Sequence, residues 1–467
     1  MKKIIFSITA ILFTTISMAN NIAVANASLS GQDVGANTTI VNFDVSWENS
    51  WRTNTNENNY DGAWIFVKFR KMGTLDWRHC TINTTGFVAA TGGTFSVPTD
   101  GKGAFIYKAA ATGVSNVSYV GNQIIWNYGV DGILDNETVE IRMFALEMVY
   151  IPQGTFQLGS GGVETNGFKL GATSDAFNVT AAAISFGTTG SVLNTNGNGP
   201  TTGTLAAAYP TGFNAFWIMK YETSQQQYVD FLNHIDLARA TFNDITGIRV
   251  GVHPNFTANQ PERAVGTCNT QRLAAMADWS GLRPFTEMEY EKACRGYNTP
   301  AVPNEYPWGN TTIVALSTVT NVGLTNETVA TPATANAVIT STYPGNIPAR
   351  VGIFARTTGS TRVLSGGTYY GVMNMGDNVA EICINAVSTT GLAFDGSLHG
   401  DGYLAASGSS NITNWTTYGA YGWRGTGYDG ANADARTSSR STVNSFTANG
   451  IDIIIASNGI RLARTAP

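Results

Sequence analysis

Apolar and polar residues alternate strictly along Val41-Asn-Phe-Asp-Val-Ser-Trp-Glu48. A period of two predicts a strand with one buried face. Ala63-Trp-Ile-Phe-Val-Lys-Phe-Arg70 puts Ala63, Ile65, Val67 and Phe69 on one side, and Trp64 and Phe66 on the other with Lys68 and Arg70. Both faces of that strand are therefore expected to be partly covered, as in a sandwich. Val139-Glu-Ile-Arg-Met143 alternates again. Between these runs lie Gly-, Asn- and Thr-rich turns, so residues 28–146 read as a β-sandwich of immunoglobulin-like size. The segment Asp131-Gly-Ile-Leu-Asp135 reads as a turn, ahead of a cation loop. A second domain is expected to begin near Glu147, and helical spacing appears within it. Thr223 and Gln226 have capping-box spacing, and Tyr228, Phe231 and Leu232 form the stripe that follows. A helix is expected from Gln271 to Trp279, ended by Gly281. In Arg283-Pro-Phe-Thr-Glu-Met-Glu-Tyr-Glu-Lys-Ala-Cys-Arg-Gly296, Thr286 and Glu289 form a second capping box. Tyr290, Ala293 and Cys294 then share a face, and Gly296 closes the helix. Residues 160–205 are Gly/Thr/Asn-rich and read as an exposed loop.

At 467 residues the chain is expected to hold two or three domains. Hydrophobic residues make up 43% and charged residues only 13%, which suits β-structure and polar loops. A net charge of −5 gives no general attraction to nucleic acid or anionic lipid. Lys2 and Lys3, the apolar run Ile4 to Ile16 and Ala25-Asn-Ala27 have the layout of an export leader. Residues 1–27 are thus expected to be removed and the protein to act in the periplasm, at the cell surface or outside the cell. No later run is long enough to span a bilayer. Cys80, Cys268, Cys294 and Cys383 are scattered, and sequence does not choose among their three possible pairings. Cys294, on an apolar helix face, reads as a buried free thiol. His79, His234, His253 and His399 have no helical ligand spacing and read as isolated residues.

The segment 283–296 resembles the signature of the formylglycine-generating-enzyme (sulfatase-modifying-factor) family. Further landmarks follow in the family's order: Met148-Val-Tyr-Ile-Pro-Gln-Gly154, Phe216-Trp-Ile-Met219, Tyr306-Pro-Trp-Gly309, Asn378-Val-Ala-Glu381, Gly422-Trp-Arg-Gly425, Arg436-Thr-Ser-Ser-Arg440 and Asn458-Gly-Ile-Arg461. The resemblance implies an α+β, loop-rich variant of the C-type-lectin fold over residues 147–467, after the N-terminal sandwich. Oxidising members bind copper through two cysteines; here Gly430 and Ala435 stand about where those would fall. Neither copper nor iron is expected, because soft thiolates or a histidine cluster would be needed. The resemblance also implies a structural calcium at Asn378, the Val379 carbonyl and Glu381, with Asp377 adding an oxygen, and a second near Asn321. The alternative is that these residues hydrogen-bond a turn.

Three functions are compatible with these observations. The first is a non-catalytic binding or display protein. Its ligand, a protein or glycan, would meet a C-terminal surface carrying Trp415, Tyr418, Tyr421, Trp423 and Tyr428. Two or three of those rings are expected to be core. The resemblance adds that family members are targets of diversity-generating retroelements, and Leu398-His-Gly-Asp401 followed by Gly422-Trp-Arg-Gly425 and Asn458-Gly-Ile-Arg461 has that layout. The second is a metal-dependent oxidoreductase, of the formylglycine-generating or sulfoxide-synthase type, with an altered site. The third is a component of a cell-surface or secretion apparatus.

Overall fold

The structure, a computed structural model, describes residues 22–55, 58–343, 345–355, 361–413, 415, 418–446 and 452–467. The apolar run of the expected leader, and Ile451, lie outside the described residues. Eight strands build the N-terminal part: β1 (Ala23–Asp33), β2 (Thr38–Arg52), β3 (Tyr60–Lys71), β4 (Arg78–His79), β5 (Gly93–Ser96), β6 (Ala104–Lys108), β7 (Thr112–Trp126) and β8 (Val139–Ile151). One wall is β1-β2-β7; the other is built on β3, which pairs with β4, β6 and β8. The walls join where Arg52 pairs with Tyr60. The alternating sets meet between them as expected: Val41, Phe43, Val45 and Trp47 of β2 pack with Ala63, Ile65, Val67 and Phe69 of β3. Asp131 accepts from the Thr81 N–H and the Trp126 indole, so its loop is a hydrogen-bonded turn.

The boundary expected at residues 146/147 falls inside β8. This strand pairs with β3 from Val139 to Tyr150, and its end, Met148 to Ile151, also pairs with the strand Phe216–Met219. That strand in turn pairs with Ala463–Thr465. One sheet therefore runs through both halves. The outward face of β3 meets the helices of the second half: α1 (Gln225–Asn233), α2 (Leu237–Asn243), α3 (Thr270–Ser280) and α4 (Glu287–Arg295). Trp64 and Phe66 are fully buried there, Trp64 donating to the Ser280 carbonyl and Phe66 lying edge-on to Trp279 at 5.1 Å. Burial of two such rings contributes roughly 2–3 kcal/mol each. At the seam Lys220 lies 3.0 Å from both Asp61 and Glu147, all three buried.

Several expectations shift. The cap of α1 is Ser224 with Gln227, one residue later than expected, because the Thr223 N–H is committed to the Ile460 carbonyl. Helix α3 runs from Thr270 to Ser280, close to the expected span, and Gly281 caps it in the left-handed conformation. The insertion at 160–205 is not simply an exposed loop: Phe168, Val179, Ile184, Phe186, Leu193 and Leu205 enter the main core. Ala25 to Ala27, expected to be cut away, lie in β1, where Ala25 pairs with Asp44 and Ile22 just before is buried. No helix among the described residues is long and apolar enough to cross a membrane.

Candidate functional site

Helix α4 has the expected capping box: Thr286 accepts from the Glu289 N–H, and Glu289 accepts from the Thr286 N–H. Its charge pattern suggests a half-solvated helix, yet all nine residues are buried. The reason is a chain of alternating charges threaded through the core. In order it runs Glu305, Arg295, Glu291, Arg424, Glu287, Arg440. The contacts are 2.5 Å for Arg295–Glu291, 2.8 Å for Arg424–Glu291, 3.2 Å for Arg424–Glu287 and 2.7 Å for Arg440–Glu287, with Arg295 also on Glu305. Three cations face three anions, so the chain is neutral. Burial alone would raise the Glu291 carboxyl, but Arg295 and Arg424 hold it below the ordinary range. Arg440 also donates to the carbonyls of Asn166, Thr195 and Asn198, fastening the insertion to the core. A separate bidentate pair joins Arg283 to Glu289. The family landmarks are thus the places where buried charges meet: 283–296, Arg424 and Arg440 are tied together here.

Gly430 and Ala435, which the resemblance sets about where copper-binding cysteines would fall, are both closed. A Cβ built on Gly430 would stand 1.7 Å from the Thr426 Oγ1. Ala435 is fully buried in a cluster with Tyr306, Trp308, Ala337 and Ile339. All four cysteines are buried and unpaired. Burial pushes the Cys294 and Cys383 thiols well up, away from the thiolate that a soft metal needs.

Tyr421–Arg424, Ala380–Ile384 and Asn458–Gly459 form a small sheet; Glu381 lies in its central strand, and Asp377, Asn378 and Val379 come just before it. Asn378 Oδ1 accepts from the Ala349 N–H at 2.8 Å, and Nδ2 donates to Glu222 at 2.8 Å. The Val379 N–H also donates to Glu222. Glu381 Oε1 pairs with Arg461 at 2.8 Å. The amide oxygen and a carboxylate oxygen that an ion would use are thus spent, and a guanidinium supplies the positive charge. Glu381 Oε2 and Asp377 Oδ1 are buried with no hydrogen-bond partner. Burial pushes the carboxyls of Glu222, Glu381 and Asp377 up, Asp377 to about 7; Glu381 adds to the effect on Glu222. Among the described residues no group of three or more His, Cys, Asp or Glu is placed to hold a metal ion. The residues present fit a hydrogen-bonded turn better than a calcium cage. Asn321 is exposed in a left-handed turn conformation, donating weakly to the Asn326 carbonyl.

The five aromatics expected at a C-terminal surface do not form one. Trp415, Tyr421 and Tyr428 are buried, and the Tyr421 hydroxyl donates to the Trp415 carbonyl. Trp423 is half-buried, edge-on to Phe446 at 5.2 Å. Tyr418 alone of the five is exposed. Three rings are thus core, in line with the two or three expected, and the remaining two do not make a continuous surface.

An open cavity of about 730 Å³ lies elsewhere, at the seam between the two halves. Its lining includes Asn58, Tyr150, Gln153, Tyr297, Asn298 and Tyr369. Sequence reasoning missed it because four separate segments supply it. The only local signal is Tyr297, directly after the glycine that ends α4.

A model of the "sulfatase-modifying factor enzyme 1-like domain" matches residues 138–466. Among solved structures, PvdO from Pseudomonas aeruginosa is similar at 16% identity with a TM-score of 0.34, covering 69% of this chain and 95% of that chain. No curated protein matches the chain.

Proposed function

This chain belongs to the sulfatase-modifying factor enzyme 1-like family, and from that premise we propose that it is an exported, non-catalytic binding member. The observation that carries this reading is the state of the two positions where oxidising relatives would place thiolates. Gly430 is backed by the Thr426 side chain, and Ala435 is core. Beside them the charge chain is neutral and fully buried, so it leaves no unpaired cation or anion to activate a reactant. The family scaffold then serves as a rigid frame for a binding site. Aerobic incubation with a cysteine-bearing peptide tests it. No aldehyde product supports the reading, and turnover dependent on this protein overturns it.

Export is part of the proposal and is supported by the basic and apolar residues at the start of the chain. Cleavage after Ala27 would cut β1, so a cut after Ala19, with Ser17 two residues before it, suits the fold better. The intact mass of the exported protein reads the cut site; a mass beginning at Ser28 would contradict it.

A further inference from the structure

The seam cavity has the make-up of a sugar site, and we propose that it binds a neutral oligosaccharide. The idea rests on the binding-protein reading above. It differs from that reading in naming a place, residues and a ligand class. The volume, about 730 Å³, lies within the range of small-molecule sites, and domain seams are favoured places for them.

Two tyrosine rings are held at the opening by glycine backbone. Gly154 has φ +156°, and a Cβ there would stand 2.4 Å from the Tyr297 ring. Gly296 has φ +91°, and a Cβ there would stand 2.3 Å from the Tyr369 ring. Each ring therefore lies against main chain in a slot that only glycine leaves. Tyr297 and Tyr369 are nonetheless 36% and 37% exposed. A third ring, Tyr150, is stacked on Tyr60 at 4.6 Å and so is fixed from behind. Rigid, exposed aromatic faces lose little entropy when a flat apolar surface settles on them. The C–H face of a pyranose is such a surface.

The rest of the lining is polar and uncharged. Asn58, Gln153 and Asn298 carry carboxamides, each with both donor and acceptor atoms, and Thr299 adds a hydroxyl. Sugar hydroxyls likewise donate and accept, so amides match them without a charge. Among the described residues no charged side chain lines the cavity. The two basic groups behind the rings are spent on main chain: Lys292 donates to the Gly154 carbonyl, and Arg362 donates to the carbonyls of Cys294 and Pro307. A phosphorylated or acidic ligand would find no partner there, and an extended apolar peptide would strand the amides.

The test is calorimetric titration of the full exported chain with cellotetraose, chitotetraose, xylotetraose and mannotetraose. At least one is expected to bind one-to-one with a Kd of about 1 mM or tighter. Tyr297→Ala is expected to weaken that binding by about tenfold or more, and Asn58→Ala by a smaller factor. Tyr403→Ala, at an exposed ring elsewhere, should leave it unchanged. In the unmodified protein the bound sugar should protect Tyr297 and Tyr369 from nitration, a readout that needs no variant. Absence of binding by all four sugars overturns the proposal, as does unchanged binding in Tyr297→Ala or unaltered nitration. Binding of an aromatic peptide in their place would overturn it too. The peptide-oxidation assay is indifferent to all of these results, so failure here is distinct from failure of the non-catalytic reading.

Discussion

Replacing Arg424 with methionine removes the central cation of the buried charge chain. Arg424 is fully buried and donates to the Glu287 carbonyl and carboxylate, the Glu291 carboxylate and the Thr437 carbonyl. Its guanidinium also lies 4.9 Å from the Tyr290 ring centroid. Without it the chain carries an excess negative charge. Breaking a buried pair from one side costs roughly 3–5 kcal/mol, because the partner is left desolvated and uncompensated. Glu291 keeps Arg295 and Glu287 keeps Arg440, so the lower end, about 3 kcal/mol, is expected. With a urea m value of about 3 kcal/mol/M, the midpoint should fall by about 1 M. Arg424→Met combined with Glu291→Gln restores neutrality. That double variant should be more stable than the sum of the single losses by about 1–3 kcal/mol. Arg78→Met, at an exposed pair with Asp76, serves as the comparison and should not move the midpoint. An unchanged midpoint for Arg424→Met, or strict additivity in the double variant, would refute the view that these charges hold the fold as one unit.

Asp377 gives a pH signature. Its carboxyl is raised by burial to about 7 from 3.8, so the folded state holds the proton more tightly. Its contribution to stability is present below about pH 4 and is lost as pH rises through about 7. A shift of about three units corresponds to at most about 4 kcal/mol. Asp377→Asn should therefore flatten the fall in stability between about pH 4 and pH 7, and a slope equal to wild type would contradict the assignment. Lys220→Met strands Asp61 and Glu147 at the seam and should cost roughly 3–5 kcal/mol. The loss should appear as faster hydrogen exchange in both β3 and the strand Phe216–Met219; loss confined to one half would show that the halves are independent. Calcium chelation should leave Tm unchanged, since Asn378 and Glu381 already have protein partners; a drop of several degrees would reinstate an ion there.

Local signals carried the strands and caps. Alternation in β2 and β3 was sufficient because a period of two reports which face is buried, and the caps of α3 and α4 sit within their own segments. At α1 two adjacent hydroxyl residues each have a glutamine three residues on, and only the distant Ile460 carbonyl decides between them. The burial of α4 was not legible. Glu287, Glu289 and Glu291 look solvated until Arg283, Arg424 and Arg440 are brought beside them. Two or three of the C-terminal rings were expected to be core, but which ones, Trp415, Tyr421 and Tyr428, is decided only by tertiary packing. The seam cavity draws on β8, the end of α4 and two loops, so no window of sequence contains it. The resemblance to the family reached the fold, since its landmarks are the segments that the buried charges join.

Copper loading tests the central claim most directly. The full chain would be titrated with monovalent copper against a competing chelator, then read by metal analysis and by absorption of the copper–sulfur bond. The account predicts no stoichiometric copper and no thiolate signature, because Gly430 and Ala435 are closed and the four thiols are buried. One tightly held copper per chain with sulfur ligation would contradict it.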